Sequence, residues 1–266
     1  MESFIIANGI PVHVSFSGTG KKTLIFLHGF LETMYVWESF IEKVGSNFTI
    51  ISIDLPGHGL TGTDETSNTL SFMSIVVSEV LIYFKVDKAI VIGHSMGGYL
   101  AIEFAKLFPD KVEALVLFNS TPFADSVDKK EDRVREIGLI KAGKLLTIAS
   151  VSLPKMFAPQ NLVKFHSTIE ELVEISDIHE NLGIIASING LMQREDNFEF
   201  LKKLSKPVYF IFGLYDRFIP VERAKVILEE MCSKKGIILE NSGHISFVEE
   251  EDKCVQIIND FIEELS

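Results

Sequence analysis

A serine set in Gly93-His94-Ser95-Met96-Gly97 has the surroundings that nucleophilic chemistry needs. It follows an apolar run at 89–92 and precedes a helical stretch at 98–108, so the spacing puts it on a tight turn from strand to helix. Such a turn strains the serine backbone, and glycines two residues to either side let neighbouring segments approach where a Cβ would collide. The hydroxyl then projects above a sheet edge at the positive end of the following helix, where developing negative charge is stabilised. Taken alone, the pentapeptide also describes a glycine-rich turn with an exposed serine; the strand before it and the helix after it favour the nucleophile.

A serine hydroxyl needs a base, and of seven histidines His244 stands where one is required. It follows the apolar run 236–239 by the loop 240–243 and precedes the terminal helix, at the same carboxyl edge as Ser95. His13, His166 and His179 fall in an early strand or in a helical region and read as surface or packing residues. The carboxylate that orients the base should lie at another strand end, between Ser95 and His244 in the chain. Asp216, in Gly213-Leu214-Tyr215-Asp216 after the run 208–212, meets that condition. It would hold His244 in the tautomer that accepts the serine proton and stabilise the imidazolium once formed. Its other reading is an aspartate capping the next helix. Asn119, at the tip of the run 114–118, cannot supply the charge. The turn Leu27-His28-Gly29-Phe30 closes another strand and points a backbone N–H toward the same edge. The N–H groups of Phe30 and Met96 are the expected oxyanion donors, each worth about 3 kcal/mol to a tetrahedral transition state. The bland alternative makes His28-Gly29 a turn and nothing more. His28, Gly29, His94 and Tyr99 are the expected substrate contacts.

The elements that must position these groups follow from the period of apolar residues. Runs at 4–7 and 12–16, separated by Asn8-Gly9, predict an antiparallel hairpin. Short runs that are apolar at nearly every position then recur at 24–27, 48–53, 89–92, 114–118, 208–212 and 236–239. That is the signature of strands covered on both faces, hence of a mostly parallel sheet. Helical periods at 35–44, 70–84, 96–108, 221–231 and 249–265 alternate with them. The expected architecture is α/β: one eight-stranded, mostly parallel sheet flanked by helices. The rhythm breaks once, between Ser120 and Pro207, where amphipathic stretches at 137–151, 169–178 and 182–191 contain no strand and Pro154 and Pro159 mark breaks. Residues 1–120 and 207–266 are therefore expected to form the core, and 121–206 an inserted helical cap.

A net charge of −12 would repel phosphate backbones and anionic lipid surfaces, which argues against nucleic acid as a partner. Apolar runs too short to cross a bilayer argue against a membrane span, and the first residues lack a secretion signal, so a cytoplasmic monomer or homodimer is expected. Mean hydropathy of +0.26, spread along the chain, predicts a large buried core. Cys232 and Cys254, on separate helices and without metal or redox spacing, read as reduced structural thiols.

Leu-His-Gly-Phe at 27–30, Asp-Leu-Pro-Gly-His-Gly at 54–59, Gly-His-Ser-Met-Gly-Gly at 93–98, Gly-Leu-Tyr-Asp at 213–216 and Gly-His at 243–244 together resemble the α/β-hydrolase superfamily, in the branch with a helical cap. That resemblance implies a serine hydrolase that works without metal or organic cofactor. A serine at position 95 departs from the branches that use an aspartate there to form an alkyl-enzyme ester. The first two motifs also resemble the menaquinone-pathway synthase that eliminates pyruvate, but its pattern has an arginine where this chain has Tyr99. Carbon–carbon hydrolases show a Gly-Pro-Gly-type loop where this chain reads Phe30-Leu31-Glu32. The expected reaction is cleavage of a small to medium carboxylic ester through an acyl-enzyme, in a pocket roofed by apolar cap residues such as Met156, Phe157 and Phe165. A carbon–carbon hydrolase or lyase on the same residues is the enzymatic alternative. The non-enzymatic one is a ligand-binding signalling protein that keeps them.

Overall fold

A computed structural model describes residues 1–45, 47–64, 66–231 and 234–265. Its centre is an eight-stranded sheet: β1 (Glu2–Ala7), β2 (Ile10–Ser17), β3 (Thr23–Leu27), β4 (Thr49–Ile53), β5 (Ala89–His94), β6 (Val112–Phe118), β7 (Val208–Gly213) and β8 (Lys235–Leu239). They lie in the order β1-β2-β4-β3-β5-β6-β7-β8, and β2 alone runs against the rest. The Asn8-Gly9 turn closes the hairpin between paired Ala7 and Ile10. The strands fall where apolar runs predict them, to within a few residues.

Between the strands come helices α1 (Glu38–Val44), α2 (Leu70–Tyr83) and α3 (Met96–Leu107), then α4 (Val127–Lys141), α5 (Leu145–Ser152), α6 (His166–Ser176), α7 (Asn181–Met192) and α8 (Phe198–Lys203), and finally α9 (Val221–Glu230), α10 (Ser246–Glu249) and α11 (Glu251–Glu263). The side-chain alternation of β5 shows how the sheet is covered. Ala89 and Val91 join one apolar cluster with Val77 of α2, Leu100 of α3 and Ile227 of α9. Ile90 and Ile92 join the other with Phe40 of α1 and Ile258 of α11. Every residue of β5 is buried, which is why the run is apolar without alternation.

Two helical expectations need correction. The stretch 35–44 begins with a 3-10 turn (Met34–Trp37) before α1, and the stretch 249–265 is cut at Glu250, whose φ of −122° and ψ of 49° are not helical. Apolar period alone cannot detect a local break that leaves the buried face in register. No strand interrupts 121–206 among the described residues; Pro154 and Pro159 are the second and the first residue of 3-10 turns, where a missing N–H costs little. The helix α8 is short and goes unsignalled, yet its Leu201 packs into the core beside α3 and β7. Cys254 is buried on α11, where burial pushes its thiol well up; Cys232 lies outside the described residues. Among the described residues no helix is long and apolar enough to cross a membrane.

Candidate active site

Ser95 sits between β5 and α3 with φ of 48° and ψ of −108°, a conformation that an L-residue adopts only when its surroundings impose it. The surroundings are tight. A Cβ on Gly93 would come within 2.3 Å of the Gly97 carbonyl oxygen, and one on Gly97 within 2.1 Å of the Leu27 oxygen. Ser95 N–H donates to the Phe118 carbonyl at 3.0 Å, and its own carbonyl accepts from the Ser120 hydroxyl at 2.9 Å. The turn is thereby tied to the carboxyl end of β6.

Three stretches of chain meet at this edge. Ser95 Oγ lies 2.9 Å from His244 Nε2, and His244 Nδ1 lies 2.8 Å from Asp216 Oδ2. Both partners of the serine are almost wholly buried, at 4% exposure for His244 and 5% for Asp216. The second carboxylate oxygen, Oδ1, accepts the N–H groups of Phe218 at 2.8 Å and Ile219 at 2.9 Å. Asp216 therefore also closes the turn ahead of α9, so the capping reading and the orienting one describe the same side chain. Burial works to raise the Asp216 carboxyl, but the facing His244 imidazole and the donors from Ile219 and Asn119 outweigh it and hold the group below its ordinary value. It is thus a carboxylate, as an acceptor of four hydrogen bonds must be.

Asn119 lacks the charge to orient the base, and the structure gives it a different part. Its Nδ2 donates to Asp216 Oδ2 at 3.0 Å and to the Gly243 carbonyl at 2.9 Å, while its Oδ1 accepts from Ser246 at 2.6 Å. A polar residue at the tip of an otherwise apolar strand was the available signal.

The four expected substrate contacts separate. His28 is fully buried, with Nδ1 donating to the Gly29 carbonyl at 2.7 Å and Nε2 accepting from Leu55 N–H at 2.9 Å, and it is not part of the cavity wall. Gly29 is likewise behind the wall; a Cβ there would lie 2.7 Å from His94 Nδ1. Both residues pack beneath the site, with Gly29 N–H donating to Glu32 Oε2 at 2.6 Å and the Gly29 carbonyl accepting from His28. His94 and Tyr99 do border the cavity. His94 Nδ1 donates to Glu32 Oε2 at 3.0 Å and Nε2 to the His244 carbonyl at 2.8 Å, so the ring carries both protons. Burial opposes that charge, but Glu32 overrides it and His94 is raised; the same pairing lowers Glu32 against its own burial. Phe30 and Met96 line the same cavity as Ser95 and His244.

The cavity, about 490 Å³, opens between the carboxyl ends of β3, β5, β6 and β7 and the helices α4, α5 and α7. Its apolar walls include Ile148, Leu153, Met156 and Leu191, and Phe218 packs against the His244 ring at 4.7 Å between centroids, the planes tilted by 39°. Phe157 and Phe165 pack on each other, 5.7 Å apart, away from it. The expected apolar pocket is only part of the picture, because five cationic side chains share the wall. Among the described residues no cluster of His, Cys, Asp and Glu is arranged to hold a metal ion.

Comparison with known proteins gives these features a family setting. A family model described as the α/β-hydrolase fold matches residues 22–137. The pimeloyl-[acyl-carrier protein] methyl ester esterase of Hamiltonella defensa is 25% identical over 91% of this chain and 93% of its own. The dihydrolipoyllysine-residue acetyltransferase component of the acetoin cleaving system of Cupriavidus necator is 26% identical over 92% of this chain, which spans 65% of that longer protein. Among solved structures, a thermophilic esterase from Thermogutta terrifontis superposes with a TM-score of 0.93 at 22% identity, covering 100% of this chain and 99% of its own. The strand order, the strained serine turn and these similarities agree, and the chain is a protein of the α/β-hydrolase fold.

Proposed function

We propose that the protein is a serine hydrolase that cleaves a small to medium carboxylic ester, with Ser95 as nucleophile, His244 as general base and Asp216 as the group that orients it. The observation that carries this reading is the continuous chain from Ser95 Oγ through His244 to Asp216, at 2.9 Å and 2.8 Å, opening into a cavity. A hydroxyl held against an imidazole whose far nitrogen faces a buried carboxylate is activated for attack. Ser95 Oγ adds to the ester carbonyl as its proton passes to His244 Nε2. The tetrahedral oxyanion is received by the N–H groups of Phe30 and Met96, which take no internal acceptor among the described residues. His244 then protonates the leaving alkoxide, and the alcohol departs. A water deprotonated by His244 adds to the acyl-enzyme, and collapse of that second intermediate returns the carboxylic acid and the free serine. The relatives named as esterases support the choice of bond. We also propose that residues 121–206 act as the cap over this cavity, since α4, α5 and α7 form its far wall.

The test is hydrolysis of 4-nitrophenyl acetate and butyrate by the protein and by Ser95→Ala. Turnover that depends on Ser95 is the expected result. Equal turnover by both proteins would remove the proposal.

A further inference from the structure

The cavity is far more basic than the chain that builds it. The chain carries a formal net charge of −12, yet Lys129, Arg133, Arg194, Arg217 and Arg223 line the cavity against Glu32, Asp125 and Glu136. Glu32 is matched by the doubly protonated His94 beside it. Asp125 is shared: Arg133 Nε reaches it at 2.6 Å and Arg194 Nη1 at 2.7 Å. These three side chains are only 8%, 6% and 2% exposed, so one carboxylate serves two guanidiniums and a unit of positive charge stays fixed in the inner wall. Arg194 is further held over the Tyr99 ring at 4.2 Å and donates to the Phe123 carbonyl at 3.1 Å. Toward the mouth, Arg223 lies over the Phe123 ring at 4.6 Å, and none of Lys129, Arg217 and Arg223 forms an ion pair among the described residues.

Like charges gathered in one concave, partly apolar space repel one another. Their field is focused into the cavity and would draw in an anion. Guanidiniums held by aromatic faces present their N–H forks in fixed planes, a geometry that fits carboxylate. We propose that the substrate is an ester bearing a carboxylate remote from the scissile bond, held by Lys129, Arg217 and Arg223 in front of the Arg133–Asp125–Arg194 wall. This rests on the hydrolase reading of Ser95 and names the class of ester that it takes.

The experiment compares matched esters that differ only in a terminal carboxylate: mono-4-nitrophenyl adipate against 4-nitrophenyl hexanoate for the acyl side, and 4-acetoxybutanoate against butyl acetate for the alcohol side. In at least one pair the carboxylate ester should have the higher kcat/KM, by about tenfold at low salt, with the gain in KM and shrinking as salt screens it. A Lys129→Gln/Arg223→Gln double variant should lower that carboxylate-to-neutral ratio by about tenfold. Ratios at or below one in both pairs, without salt dependence, overturn the proposal. Calorimetric titration of monomethyl adipate into Ser95→Ala keeps the anion question separate from turnover. Binding that weakens when Lys129→Gln/Arg223→Gln is added supports the subsite even if ester cleavage fails, and no binding rejects it.

Discussion

His94 is the residue whose neighbours say most about how the site is held. It holds both ring protons by pairing with Glu32, and through its second N–H it fixes the carbonyl of His244, the proposed base. Removing one partner of a buried pair strands the other, so Glu32→Gln should cost roughly 3–5 kcal/mol of stability, read as a lower unfolding midpoint. The pair also has a pH window. Glu32, lowered in the fold, stabilises above its ordinary carboxylate range and loses that contribution as pH falls through its folded value. His94, raised in the fold, stabilises fully below the ordinary histidine range and loses it as pH rises through its folded value. Asp216→Asn keeps the shape of the relay, but with Oδ1 still accepting from Phe218 and Ile219 it turns an amide N–H donor toward a ring nitrogen that must itself donate. Turnover of 4-nitrophenyl butyrate should fall by roughly four orders of magnitude with little change in folding. At this scale the sequence was informative where a functional group stands alone at a strand end, as Ser95, Asp216 and His244 do. His28 stands at a strand end too but is fully buried behind the cavity wall, and a one-dimensional pattern does not distinguish the two directions.

At the scale of elements, the site depends on two closures. One is the turn between β5 and α3: with the Leu27 oxygen 2.1 Å from where a Cβ would be, Gly97→Ala must push the serine turn off β3. Overpacking of this kind costs typically 1–3 kcal/mol, and kcat should fall with it because the serine moves. The other is Glu249, buried at the end of α10. Its Oε1 accepts from Ala158 N–H at 2.7 Å and Asn161 at 2.8 Å, its Oε2 from Gly243 N–H at 2.6 Å, and beside it His244 N–H donates to the Met156 carbonyl at 2.6 Å. The segment 156–161 is thereby stitched to the loop that carries His244. Glu249→Ala leaves two buried donors, the N–H groups of Ala158 and Gly243, without an acceptor, so the unfolding midpoint should drop by several degrees, with loss of turnover larger than in a variant of an exposed glutamate such as Glu263. The strands were legible because burial on both faces leaves no room for polar residues. The sequence shows Glu249 only as the start of one long helix, since the break at Glu250 leaves the apolar stripe intact on either side.

The whole molecule joins its sheet and its inserted helices through buried imidazoles as well as carboxylates. His179, between α6 and α7, accepts the Gly59 N–H at 3.0 Å, and burial depresses it to about 4. His58, 5.3 Å away between ring centroids, and His28 beyond it are lowered for the same first reason. A lowered histidine binds its proton more readily in the unfolded chain, so stability is present above the ordinary value near 6.5 and is lost as pH falls toward 4. Thermal unfolding followed from pH 7 to pH 4 should show that loss, and His179→Gln should flatten the profile. The run of helices between β6 and β7 was legible from the eighty-residue gap in the strand rhythm. The basic lining of the cavity was not: Lys129, Arg133, Arg194, Arg217 and Arg223 come from α4, the loop after α7, the turn after β7 and α9, and only folding gathers them. The proposal that Ser95 carries the acyl group is tested most directly by mass spectrometry of the protein after reaction with a fluorophosphonate ester. One phosphonyl adduct per chain, on the peptide containing Ser95 and absent from His244→Ala, is the expected result. A chain left unlabelled, or labelled on any other residue, would contradict it.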